Sequence, residues 1–513
     1  MKFTFNKQFM VLMFLLLNCF ASYAADEDLI TRQITLKLTE AGTLPSKIVS
    51  SKKNLVTNLK IIGDINGTDL RFIREMAGSD VKGNFGTSGN LSILDLSEAR
   101  IVKGGDYYYK NFYDYTFTTS NDIIGEYTFY NCSSLTSVNI PSSVTSIGSY
   151  AFKDCSSLTS VNIPSSVTSI GSYAFEGCSS LTSVNIPSSV TEIREFTFWG
   201  CSSLTSVNIP SNVTSLGSYA FKGCRSLTSV NIPSSVTSIG SYAFLQCSSL
   251  TSVNIPSSVT EIGSDAFKDC RSLTSVNIPS SVTVIGDRVF VACSSLTSVN
   301  IPSSVTEIGS GAFSGCSSLT SVNIPSSVTV IGDRAFVACS SLTSVNIPSS
   351  VTLIEDETFR DCTSLTSVNI PSSVTEIGAG AFNSCTSLTS VNIPSSVTSI
   401  GDRAFYSCSG LRSVYVYAET PPSISANAFN GCDLKNCTFY IPKGTYDAYW
   451  LSEWGNLENI VEFDATSIHN TVATSKTQET ARYAVNGQRL TAPIKGINLV
   501  KYSDGTVKKE FVK

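Results

Sequence analysis

Thirteen cysteines constrain the fold of this chain more than any other feature: they stand at 132, 155, 178, 201, 224, 247, 270, 293, 316, 339, 362, 385 and 408, an unbroken step of 23 residues. A phenylalanine precedes each by three residues, from Phe129 and Phe152 to Phe405, and the string Leu-Thr-Ser-Val-Asn-Ile-Pro-Ser recurs 12 times. A unit this short cannot bury its own apolar side, so copies must stack and share one continuous core. The 513 residues would otherwise suggest about three domains, a prior that fails for tandem copies of one unit.

Within one unit, Val138 and Ile140 alternate with Ser137 and Asn139, the period-two pattern of a strand with one buried face. Pro141 cannot donate to a ladder and ends that strand. Val144 and Ile147 return to the core, Gly148 permits a turn, and Phe152 and Cys155, at i and i+3, share one face of a short helical turn. The predicted fold class is therefore an α/β repeat solenoid. Each 23-residue coil is a strand, a turn and a short helix or 3-10 turn, with Leu135, Val138, Ile140, Val144, Ile147, Phe152 and Cys155 stacked on their equivalents. With rungs about 4.8 Å apart, some 14 coils make a rod on the order of 65 Å long.

The cysteine column allows a disulfide reading on spacing alone, because stacked Cα atoms are close enough. In-register thiols that all point into the core cannot all pair, however, and a buried thiol behaves as a small apolar group; a ladder of inert free thiols is expected. Cys432 continues the column after a 24-residue step and Cys437 is extra, which leaves a bond between those two open.

The pattern Phe-x-x-Cys-x-x-Leu-x-x-Val-x-Ile-Pro-x-x-Val-x-x-Ile-Gly, as in Phe152 to Gly171, resembles the leucine-rich repeat of the BspA-like bacterial surface proteins. The resemblance runs from about Tyr127 to Glu462, and Tyr417-Ala-Glu-Thr-Pro-Pro through Tyr440-Ile-Pro-Lys-Gly-Thr-Tyr-Asp-Ala-Tyr-Trp is similar to that family's closing unit. It implies a curved leucine-rich-repeat solenoid, display at the cell surface, and adhesive binding to host matrix proteins or neighbouring cells, with no shared enzymatic activity.

Residues 1–24 read as a signal peptide: Lys2 and Lys7 precede the apolar run Phe9 to Leu17, and Ser22-Tyr23-Ala24 is a cleavage site before Ala25. A lipoprotein reading through Cys19 is weaker, since Asn18 stands where a small residue is wanted. Residues 25–126 form an N-terminal cap in which Leu55 to Ile62 is strand-like, Thr68 can cap a helix to about Ala77, and Leu91 to Leu96 resembles a diverged repeat strand. The array occupies 127–432 and a C-terminal capping unit 433–463. There Asp447 to Leu457 reads as an amphipathic helix whose Tyr449, Trp450 and Trp454 cover the last core layer. Residues 464–480 are a Thr/Ser/Ala/Lys linker, and 481–513 carry Asn-Gly and Asp-Gly turns of a β-hairpin tail. That tail resembles the C-terminal sorting domain of Bacteroidetes type IX secretion substrates, although it is short for one and an inert hairpin pair is the alternative.

A formal charge of −5 without any lysine/arginine run speaks against a nucleic-acid partner and against anionic membranes. The single histidine, His469, leaves no Ser-His-Asp or Cys-His pair and no histidine cluster for a metal, so neither an enzyme nor a cofactor is expected. No segment of the mature chain has the length and apolarity of a transmembrane helix. What remains is a surface. Strand alternation turns Ser137, Asn139, Ser160, Asn162, Ser183 and Asn185 away from the core as a uniform candidate binding face, for which solvation and recent duplication are an equal explanation. Variation collects elsewhere, as at Glu192, Arg194 and Trp199, and in the aromatic segment Tyr107-Tyr108-Tyr109 to Phe117, which either offers a contact surface or packs over the first coil. The function expected is an exported or surface-displayed adhesin-type scaffold for extracellular matrix or host surface proteins, glycans or neighbouring bacterial cells. A passive spacer or surface-layer protein is the runner-up.

Overall fold

The computed structural model describes residues 29–84, 87–464, 479–484, 489–490, 492, 495–502 and 507–512. The expected signal peptide, Cys19, His469, most of the linker and both tail turns lie outside them. From the N-terminus come β1 (Ile34–Lys37), the helical turns α1 (Leu44–Lys47) and α2 (Ser50–Lys53), β2 (Asn58–Ile65), helix α3 (Gly67–Met76) and β3 (Ile93–Ile101). The hairpin β4 (Tyr109–Lys110) and β5 (Thr116–Phe117) follows, then β6 (Ile123–Ile124), β7 (Ser137–Asn139) and β8 (Ser146–Ile147).

Strands β1, β2, β3 and β7 lie side by side and parallel, and Leu94 of β3 sits opposite Val138 of β7. The N-terminal strands are thus the first rungs of the same sheet that the repeats continue. Helix α3 is capped by Asn66 rather than by Thr68: the Asn66 Oδ1 accepts from the Thr68 N–H at 3.0 Å, and the Asp69 carboxylate accepts from the Asn66 N–H at 3.0 Å. An amide two positions upstream reaches the first free N–H groups better than a hydroxyl already inside the turn. Arg74, fully buried at the end of α3, donates to the carbonyls of Tyr127, Thr128 and Asp80 and to Ser79 Oγ, tying the cap to the first coil.

Each coil of the array then has three sides. The first is a strand of the Ser137–Asn139 type, with Val161 buried and Ser160 and Asn162 exposed in the next coil, in parallel register Ser137↔Ser160, Val138↔Val161 and Asn139↔Asn162. A turn after Pro164, closed by the Val167 N–H on the Pro164 carbonyl at 3.1 Å, leads to the second side, the two-residue strand Ser169–Ile170, which pairs parallel with β8. The third side corrects the expected short helix. Tyr150 and Asp154 have φ of 59° and 58°, so the helical path breaks on either side of Phe152, and the N–H groups of Tyr150, Phe152 and Asp154 donate to the next coil's Ser172, Ala174 and Glu176 carbonyls. Alternating right- and left-handed residues direct these N–H groups along the rod axis; a helix would keep them within the coil and leave the neighbour's carbonyls unpaired.

Gly148 and Gly171 also act otherwise than expected. Their φ is not positive; instead a Cβ at Gly171 would stand 2.4 Å from the Ser149 nitrogen, so glycine suits the close approach of consecutive coils there, although Arg194 and Glu355 fill the same column elsewhere. Inside, the phenylalanine rings from Phe129 to Phe429 form one stack with centroids 5.1 to 5.7 Å apart. Beside it runs the cysteine column. All thirteen thiols are buried and free, and from Cys155 onward each S–H donates to the carbonyl of the phenylalanine 26 residues earlier, at 3.0 to 3.3 Å. Cys432 and Cys437 are free as well, Cys432 repeating the same bond to Phe405.

The closing helix is shorter than expected, spanning Tyr446–Trp450 and followed by a 3-10 turn over Glu453–Asn456. Tyr449 and Trp454 are fully buried and anchor to the Ala418 and Pro422 carbonyls at 2.7 and 2.8 Å, whereas Trp450 is 59% exposed and covers no core. The helix ends one residue after Tyr449, which leaves Trp450 on its outer side. In the tail, Arg489–Leu490, Glu479–Ala484, Gly496–Tyr502 and Val507–Val512 pair in that order as an antiparallel sheet. Among the described residues no helix is long and apolar enough to cross a membrane.

Candidate binding surface

The first side of the coil presents the sequence-predicted face. Ser160, Asn162, Ser183 and Asn185 are exposed, and Ser137 and Asn139, beneath the cap, are half-buried. Most threonines flanking the strand are already engaged: nine hydroxyls between Thr159 and Thr366 donate to the carbonyl one coil earlier at 2.9 to 3.4 Å. A second threonine column does the same at 3.1 to 3.4 Å. From Ser166 onward the second serine of the Pro-Ser-Ser turns is engaged too, as Ser166 is on the Val144 carbonyl at 2.6 Å, whereas Ser143 Oγ in the first coil is buried without a partner. The serines and asparagines of the strand itself stay largely open to solvent; the amide ladder closes at Asn300 on Asn277 (3.0 Å) and at Asn369 on Asn346 (3.3 Å). The face is an uncharged grid of hydroxyl and amide groups set at the coil spacing.

Glu192 and Arg194 pair with each other at 2.7 Å while both remain nearly half-exposed, so their charges are solvated and the pair contributes little to stability. Trp199 follows five residues after Arg194. Its ring packs 5.5 Å from that of Phe196, and the Lys222 Nζ stands 4.6 Å over it. Of the N-terminal aromatic segment, Tyr108 and Tyr109 are buried, which corrects their place in a contact surface: the Tyr108 hydroxyl donates to the Glu126 carbonyl at 2.8 Å, and Tyr109 stacks on Tyr127 at 4.7 Å. Burial pushes the Tyr108 hydroxyl up to about 12. Tyr107 lies under the Arg71 guanidinium at 5.4 Å. The exposed aromatics are Phe112, Tyr113 and Tyr115, at the tip of the β4–β5 hairpin, where Asn111 Oδ1 accepts from the N–H groups of Tyr113 and Tyr115 at 3.0 Å.

Sequence reading missed a second aromatic ladder. Tyr109, Tyr127, Tyr150, Tyr173, Phe196, Tyr219 and Tyr242 stack along the rim of the rod with centroids 4.4 to 4.7 Å apart. The signal was available, since from Tyr127 onward these residues stand two positions before the phenylalanine column in strings such as Gly-Ser-Tyr-Ala-Phe. Desolvation raises the thiols of the cysteine column, to about 11 at Cys132 and about 12 at Cys316 and Cys362, which keeps them protonated and poorly nucleophilic. Among the described residues no group of three or more His, Cys, Asp or Glu side chains is placed to hold a metal ion.

Comparison with known proteins places this geometry among bacterial repeat proteins. A family model described as BspA type Leucine rich repeat region matches residues 101–228, 215–343 and 329–449. A leucine-rich repeat protein from Bacteroides ovatus is 34% identical, with a TM-score of 0.52, over 64% of this chain and 92% of that one. A leucine rich cell surface protein from Faecalibacterium prausnitzii is 29% identical over 71% of this chain and 88% of that one, with a TM-score of 0.37. A search of curated protein sequences finds no significant match.

Proposed function

The chain belongs to the BspA-type leucine-rich repeat family, and from that membership we propose that it is an exported, surface-displayed adhesin that binds host matrix proteins, surface glycans or neighbouring cells along its strand face. One observation carries the reading. The outward serines and asparagines are exposed and largely unengaged in coil after coil, while most of the neighbouring threonines are committed to the backbone. Many weak identical sites on a stiff rod gain avidity for a repetitive partner such as a fibre or a polysaccharide. The exposed hairpin tip at Phe112, Tyr113 and Tyr115 adds a rigid aromatic contact at the N-terminal end.

The test is an array of matrix proteins and glycans probed with residues 25–513, followed by whole-coil deletions that keep the stacking register, beginning with Cys201 to Gly223. Saturable binding that weakens stepwise with each lost coil is the expected outcome. Loss of all binding on one deletion, with the rod still folded, would make the site local. No saturable binding at all would leave the chain a passive spacer.

A further inference from the structure

In repeats this uniform, a residue that departs from its column is informative when several departures converge. The position after each cysteine is serine or threonine in eleven of the thirteen coils; Arg225 and Arg271 replace it, two coils apart. Both arginines line one cleft of about 300 Å³, together with Gln246, Ser248 and Asp269. Four of the eleven lysines and arginines between residues 127 and 432 stand in this stretch, Lys222, Arg225, Lys268 and Arg271, on a chain whose net charge is −5.

The groups in the cleft are open to a ligand. Arg225 makes no ion pair and no side-chain hydrogen bond among the described residues, and Arg271 is 68% exposed despite its pair with Asp269 at 3.0 Å. Ser179, Ser202, Ser294, Ser317 and Ser340 donate to the carbonyl of the preceding coil, but the Ser248 hydroxyl between the two arginines does not. Gln246 is held in the left-handed region at φ 61° by its N–H on the Lys268 carbonyl at 2.8 Å, with its amide exposed. The backbone beneath is rigid: the Ser249 N–H donates to Arg225 and the Ser295 N–H to Arg271, at 3.2 and 3.1 Å.

We propose that this cleft is a binding site for an anionic polysaccharide, with the Arg225 and Arg271 guanidinium groups taking sulfate or carboxylate groups on alternating sugars. Two coils separate the arginine backbones by roughly 10 Å. Guanidinium forks suit sulfate and carboxylate oxygens, and the amide and hydroxyl between them suit the hydroxyls of the intervening sugar. An acidic peptide fits less well, because the cleft has no apolar side chain to anchor it and the coil edges are already paired with their neighbours. The proposal rests on the reading of the array as a binding scaffold and assigns a ligand class to one place on it.

The test uses residues 25–513 and four probes: dextran sulfate, its parent dextran, polygalacturonate and a polyglutamate peptide. Dextran sulfate or polygalacturonate should bind saturably, more weakly as salt rises from about 0.05 M to about 0.5 M, with dextran and polyglutamate inert. The double variant Arg225→Ser, Arg271→Ser restores the serine found at this position in nine other coils, so it should fold normally and lose binding about tenfold or more. Arg403→Ala, outside the cleft, should bind like the parent chain. Undiminished binding by the double variant, equal binding of polyglutamate, or no binding of either polyanion overturns the proposal. Matrix proteins and neutral glycans judge the scaffold reading separately: if they bind while the polyanions do not, only the cleft assignment falls.

Discussion

The coils up to Tyr242 and those from Asp265 onward share one core and differ along one rim. The phenylalanine stack crosses the boundary unchanged, with Phe244–Phe267 at 5.3 Å and Phe267–Phe290 at 5.7 Å. At the rim, the tyrosine ladder ends and the same column continues as Asp265, Arg288, Gly311, Arg334, Glu357, Gly380 and Arg403. The backbone does not register the change: φ at these positions stays between 54° and 61° from Tyr127 to Arg403. Ring stacking on one side gives way to ion pairs on the other, Arg288 with the buried Asp265 at 3.0 Å and Arg334 with Glu357 at 2.9 Å. A left-handed residue costs about 1–2 kcal/mol unless glycine fills it. Both halves sustain that cost because the N–H of this residue bonds to the next coil, as Tyr150 does to Ser172 and Arg334 to Asp356. Inter-coil bonds and the core thus define the coil, and the rim is left free to carry different chemistry.

The largest expected effect treats the halves nearly alike. The buried thiols have folded-state values raised above the ordinary 9.0, so their contribution to stability is complete below that pH and is lost as pH rises through the raised values near 11 and 12. Each thiol can cost about 1.4 kcal/mol per pH unit in that window, and the column multiplies it. Denaturant midpoints should fall steeply between pH 9 and pH 11; a flat profile would contradict the buried, reduced column. Tyr127, Tyr150, Tyr173 and Tyr219 are also raised, chiefly by burial, so coil-resolved hydrogen exchange should show the aromatic half losing protection further as pH climbs past the ordinary tyrosine value of 10.0.

Cavity variants should then show that the core is common property. Phe175→Ala and Phe267→Ala, one in each half, should each cost about 3–5 kcal/mol, while Ser257→Ala on the outer face stays within about 0.5 kcal/mol. Clearly unequal losses at the two phenylalanines would mean that the rim contributes to core packing. Smaller still is the rim itself. Tyr173→Ala removes stacks at 4.7 and 4.4 Å and should cost about 1–3 kcal/mol, against less than about 1 kcal/mol for Arg334→Ala, whose partner is a surface ion pair. The smallest effect is that of salt. At about 1 M it should weaken the charged half by less than about 1 kcal/mol and leave the tyrosine half unmoved, a contrast that hydrogen exchange can resolve coil by coil.

Much of this was legible from residues such as Phe152, Cys155, Val161 and Ile163, whose spacing alone marks the buried columns and the strand. The third side of the coil was not. Phe152 and Cys155 lie on one inward face as a helical turn would place them, yet Tyr150 and Asp154 leave the helical region because their N–H groups bond to another coil. Burial of Tyr108 and Tyr109, and exposure of Phe112 and Trp450, depend on where a cap folds over the end of the rod, and no local pattern encodes that.

By itself the sequence determined the period, the stacking columns and the in-register ladder, because a 23-residue unit repeated without insertion can satisfy its apolar side only against copies of itself. Tertiary structure alone decided which polar groups remain available. Thr159 and Ser166 look as open as Ser160 in the sequence, but only stacking brings a carbonyl of the previous coil within reach of their hydroxyls, at 2.9 and 2.6 Å. It likewise brought Arg225 and Arg271, 46 residues apart, into one cleft, since a coil of 23 residues advances the rod by a single strand spacing.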